Sequence, residues 1–306
     1  MEKKRFLITG GCGFIGTQVL RELLETPHEI FVIDDLSSGE WTSTSETRVA
    51  LKVCDIRSEE ATKYILEVSP HYVIHLAAQV DVPTSMARQD IDADTNIMGT
   101  INMLLACKKI ANFERFIFAS SAAVYGNSET SLLTELSDAK PRSPYGMSKL
   151  VCEQYLSLNK TMDDFPYCAL RFANVYGKKN RLGKDVISCF GNKLKNQEAP
   201  ILFGSGEQTR DFIFVDDVAT ALILATEIKK SGIYNIATNE QTSINEVFQH
   251  VSNILQISIT PKRMAPRLGD VYNSCLSNQK FKDATGWEPK YTLQEGLERM
   301  YNLITT

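Results

Sequence analysis

The chain has 306 residues, 43% of them hydrophobic, and a formal net charge of −4. That length can bury a large core and make two lobes, while the acidic balance excludes the basic stripe of a nucleic-acid surface. Lys and Arg are scattered rather than blocked, and no apolar run reaches the ~20 residues of a membrane span, so neither nucleic acid nor membrane is an expected partner.

The opening MEKKRFLITG runs into a strand without a cleavable apolar region. The seven cysteines form no Cys-x-x-Cys pair and the four histidines do not cluster, so no disulfide framework and no metal site is expected. Several of the cysteines sit in apolar runs as small hydrophobes. A cytoplasmic chain is the expectation, without internal repeats or low-complexity linkers.

Phe6–Thr9 reads as the first strand, and Thr17–Glu25 as a helix with Val19, Leu20, Leu23 and Leu24 on its apolar side. Between them, Gly10, Gly13 and Gly16 make a G-x-x-G-x-x-G pattern. One glycine serves the turn, a second the close approach of a pyrophosphate, a third the packing of helix on sheet, and the helix N-terminus then faces the phosphates. Ile30–Ile33 is a second strand. Asp34 ends it, where a carboxylate accepts hydrogen bonds from both adenosine ribose hydroxyls and repels a 2′-phosphate, which favours NAD over NADP.

Further along come a strand at Val49–Val53, a helix at Ser58–Val68, a strand at Tyr72–His75, a helix at Ile91–Ile110 and a strand at Arg115–Ala119. A helix at Tyr145–Leu158 and a strand at Tyr167–Phe172 follow. Strands apolar on both faces, alternating with helices, imply a doubly wound parallel α/β sheet with ligands at its carboxyl edge.

SPYGMSKL places Tyr145 and Lys149 four apart, on one helix face. A tyrosine of pKa near ~10 works as a base at neutral pH only if its phenolate is stabilised by about 4 kcal/mol. An ammonium beside it, with the positive nicotinamide ring, supplies much of that. Tyr-x-x-x-Lys alone is often an exposed helical pair. Here it follows FASSAAVYG, where Ser120 and Ser121 offer hydroxyls at the sheet edge. The expected triad is Ser121, Tyr145 and Lys149.

These residues, with VIDDLSSG, CDI, HLAAQ, NIMGT, LRFANVYG, GSGEQTRDFIFVDDVA, YNIA and RLGD, run in order along nearly the whole chain. The chain resembles the extended short-chain dehydrogenase/reductases, specifically the NAD-dependent nucleotide-sugar epimerase/dehydratase group. The resemblance implies a Rossmann-like NAD domain over residues 1–180. It also implies a smaller substrate lobe, mainly 181–306 with some segments returning to the first domain, that closes over a nucleoside-diphosphate sugar. It assigns Gly10, Gly13, Phe14, Ile15 and Gly16 to the pyrophosphate, and Asp34, Ser37 and Ser38 to the adenosine side. Asp55 and Ile56 would flank adenine; Leu76, Ala77 and Ala78 would line pyrophosphate and ribose; Phe172 would approach the nicotinamide. Tyr145 and Lys149 would also hold the nicotinamide ribose. For the substrate, beside Ser121, it points to Asn174, Val186, Arg210, Arg267 and Asp270. An arginine fork matches a diphosphate bidentately, although Arg210–Asp211 and Arg267–Asp270 also read as local ion pairs.

The 4,6-dehydratases and nucleotide-sugar decarboxylases of the group carry an acid after the catalytic hydroxyl, where this chain has Ala122-Ala123-Val124. A 4-epimerase is therefore the leading expectation. Tyr145 would remove the C4 hydroxyl proton while NAD takes the C4 hydride, and the 4-keto sugar turns and receives the hydride on its other face. A C4 dehydrogenase or 4-keto reductase would use the same triad, and a non-catalytic NAD-binding regulator would have lost it. Ala123, Val80 and Asp185 depart from the common pattern; Asp185 would repel a carboxylate, attract an amino group, or pair with Lys184 or Lys178. In resembling 4-epimerases the residue four places after the RLGD aspartate, Asp270 here, gates the pocket at the sugar's C2. The resemblance thus implies that Ser274 leaves room for a 2-acetamido group where a tyrosine would exclude it. The substrates expected are UDP-hexose and UDP-N-acetylhexosamine, with the base left open. A homodimer is expected through the helices 91–110 and 145–158, with Met98, Met103, Val151 and Tyr155 as surface candidates.

Overall fold

The computed structural model describes residues 2–41, 48–127, 132–178, 185–266 and 272–301. The first part alternates strand and helix: β1 (Arg5–Thr9), α1 (Phe14–Leu24), β2 (Glu29–Asp34), β3 (Val49–Val53), α2 (Glu59–Val68), β4 (Tyr72–His75), α3 (Val82–Ala87), α4 (Gln89–Asp92), α5 (Gly99–Cys107), β5 (Arg115–Ser121), α6 (Pro144–Asp163) and β6 (Tyr167–Phe172). The chain continues through β7 (Asn174–Tyr176), α7 (Val186–Lys195), β8 (Ile201–Phe203), β9 (Thr209–Arg210), β10 (Phe212–Phe214), α8 (Val215–Leu224), β11 (Gly232–Ile236), β12 (Thr242–Ser243), α9 (Ile244–Leu255), β13 (Lys262–Met264), α10 (Gln279–Thr285) and α11 (Leu293–Met300).

Seven strands form one sheet in the order β11-β6-β5-β4-β1-β2-β3, every neighbouring pair parallel. All carboxyl ends therefore share one edge, and the order reverses at β1, which pairs with both β2 and β4. That reversal opens a crevice. The central strands are mostly apolar because both faces are covered, and all six residues of β6 are buried, Arg171 among them. One face packs Val19, Leu20 and Leu23 of α1 and Val218 and Leu222 of α8. The other packs Ile65 of α2, Met103 and Leu104 of α5 and Leu156 of α6. A third apolar cluster joins Ile187 and Phe190 of α7, Phe214 of β10, Val247 and Val251 of α9 and Leu297 of α11. Residues from 185 onward thus supply most of that third cluster, with Tyr176 of β7, and also supply β11 to the sheet.

Two expectations change. The single helix over 91–110 is instead α4, a π-helical turn at Ala93–Met98, and α5. The cause is Asn96, whose carbonyl accepts from the Thr100 hydroxyl at 2.6 Å and the Cys152 thiol at 3.2 Å, which widens the turn. Met103 is not a surface residue: α5 turns it onto the sheet, fully buried. Met98 and Tyr155 are exposed and Val151 is half-buried.

Candidate active site

At the end of β1 the chain turns at Gly10 with φ +69, where a Cβ would stand 2.7 Å from Ala77 N. A Cβ on Gly16 would collide with the Gly10 carbonyl, so α1 seats on this turn only with glycine there. Gly13 precedes α1 and no side chain caps it. Gly10, Gly13, Phe14, Ile15 and Gly16 line a cleft of about 1220 Å³. The uncapped amides and the positive end of the helix suit an anionic group.

Asp34 stands at the end of β2, 7% exposed. Its Oδ2 accepts from Cys12 N–H at 2.9 Å and its Oδ1 from Leu36 N–H at 2.8 Å. Each oxygen keeps a further acceptor site for a ribose hydroxyl. Ser37, Ser38, Asp55, Ile56, Leu76, Ala77 and Ala78 line the same cleft. A dinucleotide fits this cradle. Cys12, its thiol pushed up to about 12 by burial and the neighbouring Asp34, is an inert part of it.

Behind the cradle runs a directed chain of hydrogen bonds. Thr100 gives its only hydroxyl proton to Asn96 C=O, so His75 Nε2–H donates to Thr100 Oγ1 at 3.1 Å. His75 Nδ1 then accepts from the Thr9 hydroxyl at 2.7 Å, and Thr9 Oγ1 accepts Ala77 N–H at 3.2 Å. Burial pushes His75 down to about 3, so it is neutral.

Ser143 caps α6 by accepting Gly146 N–H at 3.1 Å, and Pro144 starts it, which puts Tyr145 in the first turn beside the strand ends. Lys149 is 3% exposed; its Nζ donates to Ala119 C=O at 2.8 Å and lies 5.8 Å from the Tyr145 ring centroid. Burial lowers Lys149 to about 8, against the opposing pull of Cys152, Asp92 and Glu153. Burial raises Tyr145 to about 12, with the Ser121 hydrogen bond acting downward and Asp92 upward. Ser121 Oγ accepts Ala123 N–H at 3.1 Å, leaving its proton to give to an oxygen in the cleft. The three side chains of the expected triad meet at one place.

Phe172, at the end of β6, lines the cleft together with Asn174, Val186 and Arg210. Asn174 N–H donates to Asp211 C=O at 2.9 Å, and Arg210 Nη1 to Thr209 C=O at 2.8 Å. Val186 opens α7, and Asp185 caps it by accepting Ser188 N–H at 2.9 Å, so a helix cap is the role the geometry gives that carboxylate. Arg267 and Asp270 lie outside the described residues. Ser274 is not among the described residues that line the cleft; its N–H donates to Thr209 C=O at 3.2 Å, beside Arg210.

The model of the NAD dependent epimerase/dehydratase family matches residues 6–237. The chain belongs to that family. It is 31% identical over 303 residues to a UDP-glucose 4-epimerase of Mycolicibacterium smegmatis, covering 96% of each chain. The UDP-glucose 4-epimerase of Thermotoga maritima, solved with UDP-glucose, superposes with a TM-score of 0.93 at 35% identity, covering 97% of each chain. The UDP-N-acetylglucosamine 4-epimerase of Methanobrevibacter ruminantium, solved with UDP-N-acetylmuramic acid, gives 0.91 at 31% identity, over 99% of this chain and 100% of that one.

In this epimerase/dehydratase chain, sequence reasoning missed a pair of amides beside the cleft, Gln79 and the buried Asn96. Gln79 lines the cleft; its N–H donates to Asn96 Oδ1 at 2.8 Å and its side chain to Asp92 Oδ1 at 3.0 Å. Asn96 Nδ2 reaches Ser148 Oγ at 3.0 Å, which ties the loop after β4 to α6 beside Lys149. The signal was an asparagine inside a helical stretch, a residue that is neutral to unfavourable there without a partner.

Proposed function

We propose that this protein is an NAD-dependent nucleotide-sugar 4-epimerase acting on uridine-diphosphate hexoses and N-acetylhexosamines. The observation that carries this is the meeting of Ser121, Tyr145 and Lys149 in the same cleft as the glycine cradle, with no acid over Ala122–Val124. NAD, when bound, supplies the hydride acceptor and donor at C4. Tyr145 takes the C4 hydroxyl proton and later returns one, Lys149 favours the phenolate, and Ser121 donates a hydrogen bond to the C4 oxygen. Arg210 and Asn174 grip the diphosphate, so the sugar turns about a fixed point between the two transfers.

The uridine base is supported by the UDP ligands of the two similar structures. Residues in the third apolar cluster form the substrate lobe in this reading, with Val186 beside the base and Arg267 and Asp270 at the diphosphate and nucleoside ribose. In this reading Ser274, whose N–H donates to Thr209 C=O beside the cleft residue Arg210, is assigned the acetamido side of the sugar. The exposed apolar side chains Met98, Leu105, Tyr155, Leu158 and Met162 on α5, α6 and the π turn support a homodimer. All seven cysteines are free thiols, which fits the cytoplasm.

The test is product identity after incubation with a panel of nucleotide sugars. Interconversion of the C4 epimers of UDP-glucose and UDP-N-acetylglucosamine is expected, and release of a 4-keto sugar would overturn the reading. Replacing Ser274 by Tyr should remove the acetamido activity and keep the hexose activity.

A further inference from the structure

Three consecutive residues at the end of β5 each hold a residue of α6. Ala119 C=O accepts from Lys149 Nζ, Ser120 Oγ donates to Glu153 Oε1 at 2.5 Å, and Ser121 hydrogen-bonds with Tyr145. Tyr145, Lys149 and Glu153 are spaced i, i+4, i+8, so they form one stripe along the helix. Only the first two touch reactants in the proposed mechanism. Glu153 is 1% exposed, far too buried for a carboxylate without a partner.

Its partner is Arg171 on β6. Arg171 Nε donates to Glu153 Oε1 at 2.9 Å and Nη2 to Oε2 at 2.6 Å, a two-pronged pair buried at both ends. The guanidinium lies 4.6 Å from the centroid of the Tyr125 ring, and Tyr125 OH donates to Asn235 Oδ1 of β11 at 2.7 Å. Each member therefore stands next to a site residue: Ser120 precedes Ser121, Arg171 precedes Phe172, and Glu153 is one turn beyond Lys149.

We propose that Glu153 is a positioning residue, whose buried carboxylate, clamped by Arg171 and Ser120, sets the rotation and depth of α6 against the ends of β5 and β6 and so the distance between Tyr145 and Ser121. A buried ion pair is weak evidence for stability, since apolar replacements of similar volume are often neutral. Geometry is the better account of this one. The proposal rests on the role given to Tyr145 and Lys149 above. The charged or titratable groups facing that pair are Asp92 from α4, His75 from β4, and Cys152 and Glu153 from α6 itself.

The test uses Ser120→Ala, which cuts the link to β5 and keeps the ion pair, and the double variant Glu153→Met with Arg171→Met, which removes the charges without stranding either one. Both should melt near the wild-type temperature, keep the KM for nucleotide sugar, and lose about tenfold in kcat. Independently of any sugar, ultraviolet titration of the Tyr145 phenol, read as the difference from Tyr145→Phe, should shift upward by about one unit in both. Wild-type kcat together with an unchanged Tyr145 titration in folded variants overturns the proposal. A wild-type protein inert toward every nucleotide sugar overturns the epimerase reading instead, and the phenol titration still judges Glu153.

Discussion

Tyr145 begins as a poor base: burial holds its phenol at about 12, so working near neutrality takes about 7 kcal/mol of phenolate stabilisation. In the proposed mechanism Lys149 is the protein's contribution, and burial lowers its ammonium to about 8. As pH rises through that value the cation is lost and with it the support for the phenolate, so kcat should fall on the alkaline side. A pH–rate profile of wild type checks this. Tyr145→Phe should lose about a thousandfold in kcat with fold and sugar-nucleotide affinity retained, as calorimetry and ligand titration would record. Asp211 works at a distance from the chemistry. Fully buried, it accepts Thr238 N–H at 2.9 Å, the Thr238 hydroxyl at 2.8 Å and Asn239 N–H at 3.0 Å, while its own carbonyl takes Asn174 N–H. Asp211→Asn turns an amide group toward those donors. The expected result is a KM for nucleotide sugar raised about tenfold, a kcat little changed, and stability lowered by about 1–3 kcal/mol.

Between elements, the His75 chain ties β1 and β4 to α5. Its folded value of about 3 lies below the ordinary 6.5, so the unfolded chain takes up the proton first as pH falls. Stability is therefore whole above 6.5 and drains away between there and 3, by at most about 5 kcal/mol from this residue. Melting temperature followed from neutral to acid pH should show the loss, and His75→Gln should flatten it. Here the limits of reading a sequence are visible. Six strands of the sheet could be placed because each is an apolar run, and Asp34 because it ends the second of them. Tyr145 and Lys149 could be placed because a spacing of four puts them on one helix face, whereas β11 and the short strands after β6 were not placed. The break at Ala93–Met98 has the same helical periodicity as its flanks, so its π turn is invisible until Thr100 and Cys152 are seen to converge on Asn96. The clamp on Glu153 joins residues of a helix and two strands, and Ser274 comes to Thr209 only through a tertiary backbone contact; neither has a local signature.

At the scale of the molecule, the exposed stripe on α5 and α6 should bury itself against its copy. Light scattering at micromolar concentration should give a dimer of the 34.3 kDa chain, and Tyr155→Glu with Leu158→Glu should give monomers that keep their bound cofactor. That cofactor, released by denaturation, should be NAD rather than NADP, because the role proposed for the Asp34 carboxylate, at the adenosine ribose, would repel a 2′-phosphate. The place of β11 has one more consequence, in the order of synthesis. Its strand is the last of the seven to be made, and 64 residues separate the end of β6 at Phe172 from its own end at Ile236. At ribosomal speeds that interval is roughly 3–13 s. Throughout it the nascent chain carries β6 as an open apolar edge that no later residue has yet covered, so a newborn molecule is most exposed to mispairing and to chaperones while the polypeptide between Phe172 and Gly232 is still being translated.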